Sequence, residues 1–158
     1  MKHAARTVVF MFSAAMMVTA TAQQPPSAVE RAQFMVDTRQ SVVTLLAWNI
    51  GPVVGMAKGQ IPFNAEMAKR SGIRMSQLAP MLSDAFRADV REFDFDTGSK
   101  PHIWDNMDDF NSKAKDLVDA TAAFAVATQS DDEATTMKAF RAVGGACKGC
   151  HDEYRVKD

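Results

Sequence analysis

The feature that most constrains this chain is Cys147-Lys148-Gly149-Cys150-His151, which ends seven residues before the C-terminal Asp158. C-x-x-C-H is the attachment pattern of a c-type haem: two thiols add across the porphyrin vinyl groups, and the adjacent imidazole supplies an axial nitrogen to iron. In a helix, Cys150 and His151 lie three and four residues beyond Cys147, so all three groups share one face. The fold must then leave room for a large planar cofactor beside that face. C-x-x-C also occurs in redox dithiols and as half of a zinc site. Outside the N-terminal leader, His102 is the one other histidine and there is no third cysteine, so a four-ligand Cys/His cage is incomplete. A redox dithiol normally opens a helix after a strand, whereas this motif closes a helical chain.

Residues 1–22 read as a cleaved signal peptide. Lys2 and Arg6 precede an apolar run from Thr7 to Val18, followed by Ala20-Thr21-Ala22, an A-x-A cleavage signal. A dozen apolar residues fall short of the about 20 that span a bilayer, and no later run is expected to approach that length. The remaining 23–158 is expected to be one exported, periplasmic domain with no membrane segment. Removing Lys2 and Arg6 from the 18 basic side chains leaves 16 against 19 acidic ones, a balance of −3. Without a basic stripe, no nucleic-acid partner is expected.

Periodicity predicts helices throughout. Ser27-Ala28-Val29-Glu30 fits a capping box, and Val29, Ala32, Val36, Arg39, Val43, Leu46, Ile50 and Val53 form an inward stripe with steps of three and four. Arg39 interrupts that stripe. A guanidinium there is costly unless it meets an anion, which makes it a candidate partner for a haem propionate; the alternative is that it snorkels to solvent. A second stripe, Met35, Thr38, Val42, Leu45 and Trp48, could be an intersubunit face or ordinary core. Pro52 should kink this helix. Asn64 can cap a second helix from Ala65 to about Ala85. The 87–101 stretch loses periodicity and reads as the long connection. A third helix follows from Ile103 to near Gln129, and Ser130-Asp131-Asp132-Glu133 offers a capping box for a fourth, which carries the haem motif. The fold class expected is all-α: an antiparallel four-helix bundle with covalent haem.

Four stretches carry a family resemblance: Thr38-Arg39-Gln40-Ser41; Ala57-Lys58-Gly59-Gln60-Ile61-Pro62-Phe63-Asn64; Lys100-Pro101-His102-Ile103-Trp104; and Ala146 to Arg155 around the haem motif. Together they resemble the class II c-type cytochromes, and within them the cytochrome c′ family. The resemblance implies a left-handed four-helix bundle, often a homodimer through the first two helices. It implies one covalent haem c on Cys147 and Cys150 with His151 as the iron ligand. Arg39 and Gln40 are similar to the family's residues beside the propionates, and Arg155 to its arginine near the proximal face.

In low-spin relatives a first-helix methionine ligates the iron; here Val43 matches that position and has no donor atom. At ~1.5 Å per residue, Met35 and Met56 are about 12 and 20 Å from it along the helix. Met67, Met75, Met81, Met107, Met137 and His102 are not placed by the sequence. The expected function is a five-coordinate, high-spin haem protein that binds small gases such as nitric oxide (NO) and carbon monoxide (CO) and undergoes one-electron change. The alternative is a six-coordinate, low-spin electron carrier serving periplasmic redox partners. A purely structural or storage haem has no positive argument, and no acid–base pair or nucleophile points to an enzyme.

Overall fold

The computed structural model describes residues 24–157, so the predicted signal peptide lies outside the described residues. Helix α1 (Ala28–Ala57) begins as its sequence demands: the Ser27 hydroxyl accepts from the Glu30 amide while Glu30 accepts from the Ser27 amide, a reciprocal capping box. It ends in a Schellman motif. Gly59, at φ 67°, donates to the Met56 carbonyl and Gln60 to the Gly55 carbonyl, and the left-handed residue is the one that needs no Cβ. The helix runs through Pro52, which leaves the Trp48 carbonyl without its helical donor.

The expected second helix is two. Helix α2 (Ala65–Leu78), capped by the Asn64 side chain, stops before Pro80, and the short α3 (Met81–Phe86) starts beyond it. Ala79 keeps helical angles (φ −55°, ψ −41°), but the Pro80 ring replaces the amide proton that would have continued the ladder. Likewise the third helix starts later than expected. Pro101–Ile103 forms a 3₁₀ turn, and α4 (Met107–Ala127) follows it. The last helix, α5 (Glu133–Tyr154), is capped by Asp132 rather than Ser130: the Asp132 carboxylate accepts from the Thr135 amide, while the Ser130 hydroxyl closes the preceding 3₁₀ turn.

These helices form an antiparallel four-helix bundle of α1, α2, α4 and α5, with no strand among the described residues. The main contacts run α4 on α5, α2 on α4 and α1 on α2, whereas α1 and α5 hardly meet. Gly72 allows the α2–α4 approach, because a Cβ there would stand 3.0 Å from the Ala125 Cα. Val53, Met75, Leu117, Phe124, Phe140 and Val143 fill one end. A second cluster of Val42, Ala85, Phe86, Ile103, Phe110 and Tyr154 lies toward the other.

Helix α1 departs from its predicted stripe at four positions. Val29 is exposed, Val42 and Asn49 are buried in the seam, and Val43 is 41% exposed on the face that lines a cavity. Phe34, Leu45 and Trp48 lie open on the outside, Trp48 at 65%. By length and composition α1 is also apolar enough to cross a membrane, contrary to the sequence expectation. Buried Arg39 and Asn49 and its packing against α2 and α3 fit a bundle helix instead.

Candidate functional site

Because α1 and α5 stand apart, a cavity of about 520 Å³ opens between them, closed laterally by α2, α3 and α4. Its size lies within the ~300–1,000 Å³ usual for cofactor pockets. One wall is α5, where helical spacing brings Cys147, Cys150 and His151 onto the cavity together. Both cysteines are free and half-buried. Burial pushes both thiols up from their ordinary pKa, and at Cys150 the neighbouring Cys147 adds to the effect. Partial burial lowers the pKa of the His151 imidazole, helped by the Arg155 charge, which favours the neutral form whose nitrogen can donate to a metal.

Across from them the α1 wall presents Val43, Thr44, Ala47 and Ile50, with no sulfur or imidazole. Leu82 and Phe86 of α3 and Met75 of α2 extend this wall. Of the ligands that the sequence left unplaced, Met75 is the one on the cavity among the described residues. It is fully buried, packed into the core cluster with Leu117 and Phe124. His102 instead leans on the Tyr154 ring, its Nε2 3.3 Å from Glu153 Oε1.

Arg39 is on the cavity wall and only 3% exposed, which rules out the snorkelling alternative. Its Nε donates to the Ala85 carbonyl at 2.9 Å and its Nη2 to that of Ala88. The guanidinium carbon lies 4.9 Å from the Trp104 ring centroid and 5.5 Å from that of Phe86. Desolvation lowers its pKa, and the Asp89 charge partly restores it. Gln40 lines the cavity one residue on, at the solvent side.

Periodicity could not place the 87–100 connection, yet Thr97, Gly98 and Ser99 close the cavity beside His151 and Arg155. Backbone hydrogen bonds fasten the loop there: Val156 donates to the Gly98 carbonyl and Lys100 to that of Tyr154, both at 2.9 Å. Ser99 and Arg155 form an isolated bridge. The Lys100 ammonium caps the last turn of α5 through the Glu153 carbonyl at 2.6 Å, a cation where the helix dipole favours one. Tyr154, one turn beyond His151, donates to Asp109 at 2.6 Å and packs edge-on against Phe110. Phe86 is the lining residue with least signal in the sequence, since it follows the break at Pro80.

A cavity with two thiols and an imidazole on one helical turn, and apolar side chains opposite, fits haem c. The cytochrome c′ family model matches residues 35–155. The chain belongs to the cytochrome c′ family. Cytochrome c-554 of Cereibacter sphaeroides is 35% identical over 127 residues, covering 78% of this chain and 94% of that protein. The solved cytochrome c′ of Shewanella frigidimarina superposes with a TM-score of 0.74 at 32% identity, covering 80% of this chain and 97% of the other. A nitric oxide complex of a cytochrome c′ variant from Alcaligenes xylosoxidans does so with a TM-score of 0.71 at 29% identity, with coverage of 80% and 97%. As a cytochrome c′ family member the chain carries covalently bound haem c with iron, and gas binding is a property of the family.

Proposed function

We propose that this protein is an exported, periplasmic haem c protein whose iron is five-coordinate and high-spin, binds NO and CO, and changes oxidation state by one electron. In this reading Cys147 and Cys150 would hold the haem through thioethers and His151 would ligate its iron. The observation that carries it is the one-sidedness of the cavity: imidazole and thiols stand on α5, while Val43, Ala47 and Ile50 face them from α1. When bound, the haem supplies an iron site for a neutral diatomic and the one-electron couple. The chain's own residues do the rest. His151, whose neutral form is favoured by partial desolvation and the Arg155 charge, presents its nitrogen. The side chains of Val43, Ala47 and Ile50 favour neutral diatomics over water and anions, which find no hydrogen-bond partner among them.

Arg39 and Gln40, at the cavity edge, are proposed to meet the propionates, Arg39 through donors beyond those already given to Ala85 and Ala88. Arg155 stands near the proximal face. The exposed Phe34, Leu45 and Trp48 of α1 and Ile73 of α2 are proposed to pair with a second copy. No catalytic role is proposed. The test is to purify the protein from a haem-loading periplasm and add CO to its reduced form. One haem retained by the chain in acidified organic solvent and a CO-shifted Soret band are expected. A haem that washes out, or a reduced protein indifferent to CO, would overturn the reading.

A further inference from the structure

Helix α3 has six residues and no side-chain cap of its own at either end. A helix so short cannot hold itself in water, and its last carbonyls lack helical donors. Two side chains from elsewhere supply them. Arg39 of α1 takes the Ala85 carbonyl, and that of Ala88 two residues past the helix end, and the Trp104 indole Nε1 donates to the Phe86 carbonyl at 3.0 Å. Trp104 also lies under the Arg39 guanidinium at 4.9 Å and receives that of Arg91 at 5.8 Å. Arg91 is itself tied to Asp89 and Asp105 and to the Pro101 carbonyl. The backbone anchored in this way carries Phe86, which lines the same cavity as Val43, on a helix that packs against α1.

We infer that Trp104 is a positioning residue for ligand entry: it does not line the cavity, but by holding the Phe86 carbonyl and the Arg39 guanidinium it fixes how much space the Phe86 ring leaves beside Val43. This rests on the gas-binding reading and deepens it, because it names what sets the size of ligand the open face accepts. Trp104→Phe keeps an aromatic ring for the two guanidinium groups and removes the N–H. The Phe86 carbonyl then loses its donor and the end of α3 loosens. A bulky ligand, which needs Phe86 to move, benefits more than CO does.

The experiment is flash photolysis of the haem-loaded ferrous protein with CO and with n-butyl isocyanide. In Trp104→Phe the isocyanide should associate about tenfold faster, the kinetic equivalent of one lost buried hydrogen bond, while CO changes less, so that the ratio of the two rates moves. On a Phe86→Leu background the same substitution should leave the ratio where Phe86→Leu alone puts it. A ratio unmoved by Trp104→Phe, with only the melting temperature lowered, overturns the inference and leaves gas binding intact. A wild-type protein that binds neither ligand overturns both. Should the variant not accumulate, the wild-type CO form decides by indole proton exchange: Trp104 should be strongly protected relative to the exposed Trp48, and equal exchange at the two overturns the inference.

Discussion

The two ends of the bundle are built on opposite principles. Around Phe124 and Phe140, rings 5.6 Å apart, the four helices close on each other, with Thr121, Thr128 and Thr136 buried and Gly72 drawing α2 against α4. Toward the haem motif, α1 and α5 separate, and the space is bounded by a short helix, a 3₁₀ turn and an irregular loop held by side-chain-to-carbonyl bonds. Apolar packing therefore carries stability at the closed end. At the cavity end, specific polar anchors hold irregular backbone in place.

Substitutions at the two ends should separate along that line. The largest effect is expected from Phe124→Ala, which empties a fully buried site and should cost about 3–5 kcal/mol in urea unfolding, with the haem spectrum unchanged; a cost below about 1 kcal/mol would erase the distinction between the ends. Arg39→Leu leaves the Ala85 and Ala88 carbonyls without their donor, so roughly 2–3 kcal/mol should be lost. It should also shift the haem potential or its pH dependence, which no closed-end substitution should do. Gly72→Ala drives a methyl group into the α4 backbone at Ala125, and about 1–3 kcal/mol is expected from overpacking, again without a spectral change.

Tyr154→Phe removes only the bond to Asp109 and should cost the least of these substitutions near neutrality. This variant also has a pH signature. The Tyr154 hydroxyl, aided by Lys113, holds the Asp109 carboxyl below its ordinary value. The stabilisation from that bond is present above the unfolded Asp value of ~3.9 and fades as pH falls through the lowered folded value. Unfolding curves at pH 7 and pH 3 should therefore show the variant and the wild type converging in acid.

How far the sequence could be read follows the same division. Periodic stripes predict the long helices, and Ser27, Asn64 and Gly59 mark their ends correctly because capping is local chemistry. The haem motif places Cys147, Cys150 and His151 on one face for the same reason. Pro80 was the missed signal: its break separates α3 from α2 and carries Phe86 to the cavity. Asp132 displaced Ser130 as a cap, a choice made by backbone geometry at Asp131, which is left-handed at φ 55°. The roles of Trp104, Lys100 and the Thr97–Ser99 loop depend on contacts between residues far apart in sequence, to which periodicity is blind. Arg39 was legible as an anomaly. Its carbonyl partners were not, since nothing in the chain marks Ala85 or Ala88 as acceptors.

The central claim is that iron in the cavity has His151 on one side and no protein ligand on the other. Optical and electron paramagnetic resonance spectra of the purified haem-loaded protein, in both oxidation states, test it most directly. High-spin spectra in both states, with the ferrous form binding CO, are predicted. A low-spin ferrous spectrum, with a methionine-to-iron charge-transfer band in the ferric form that disappears in Met75→Leu, would contradict it and make the protein a six-coordinate electron carrier.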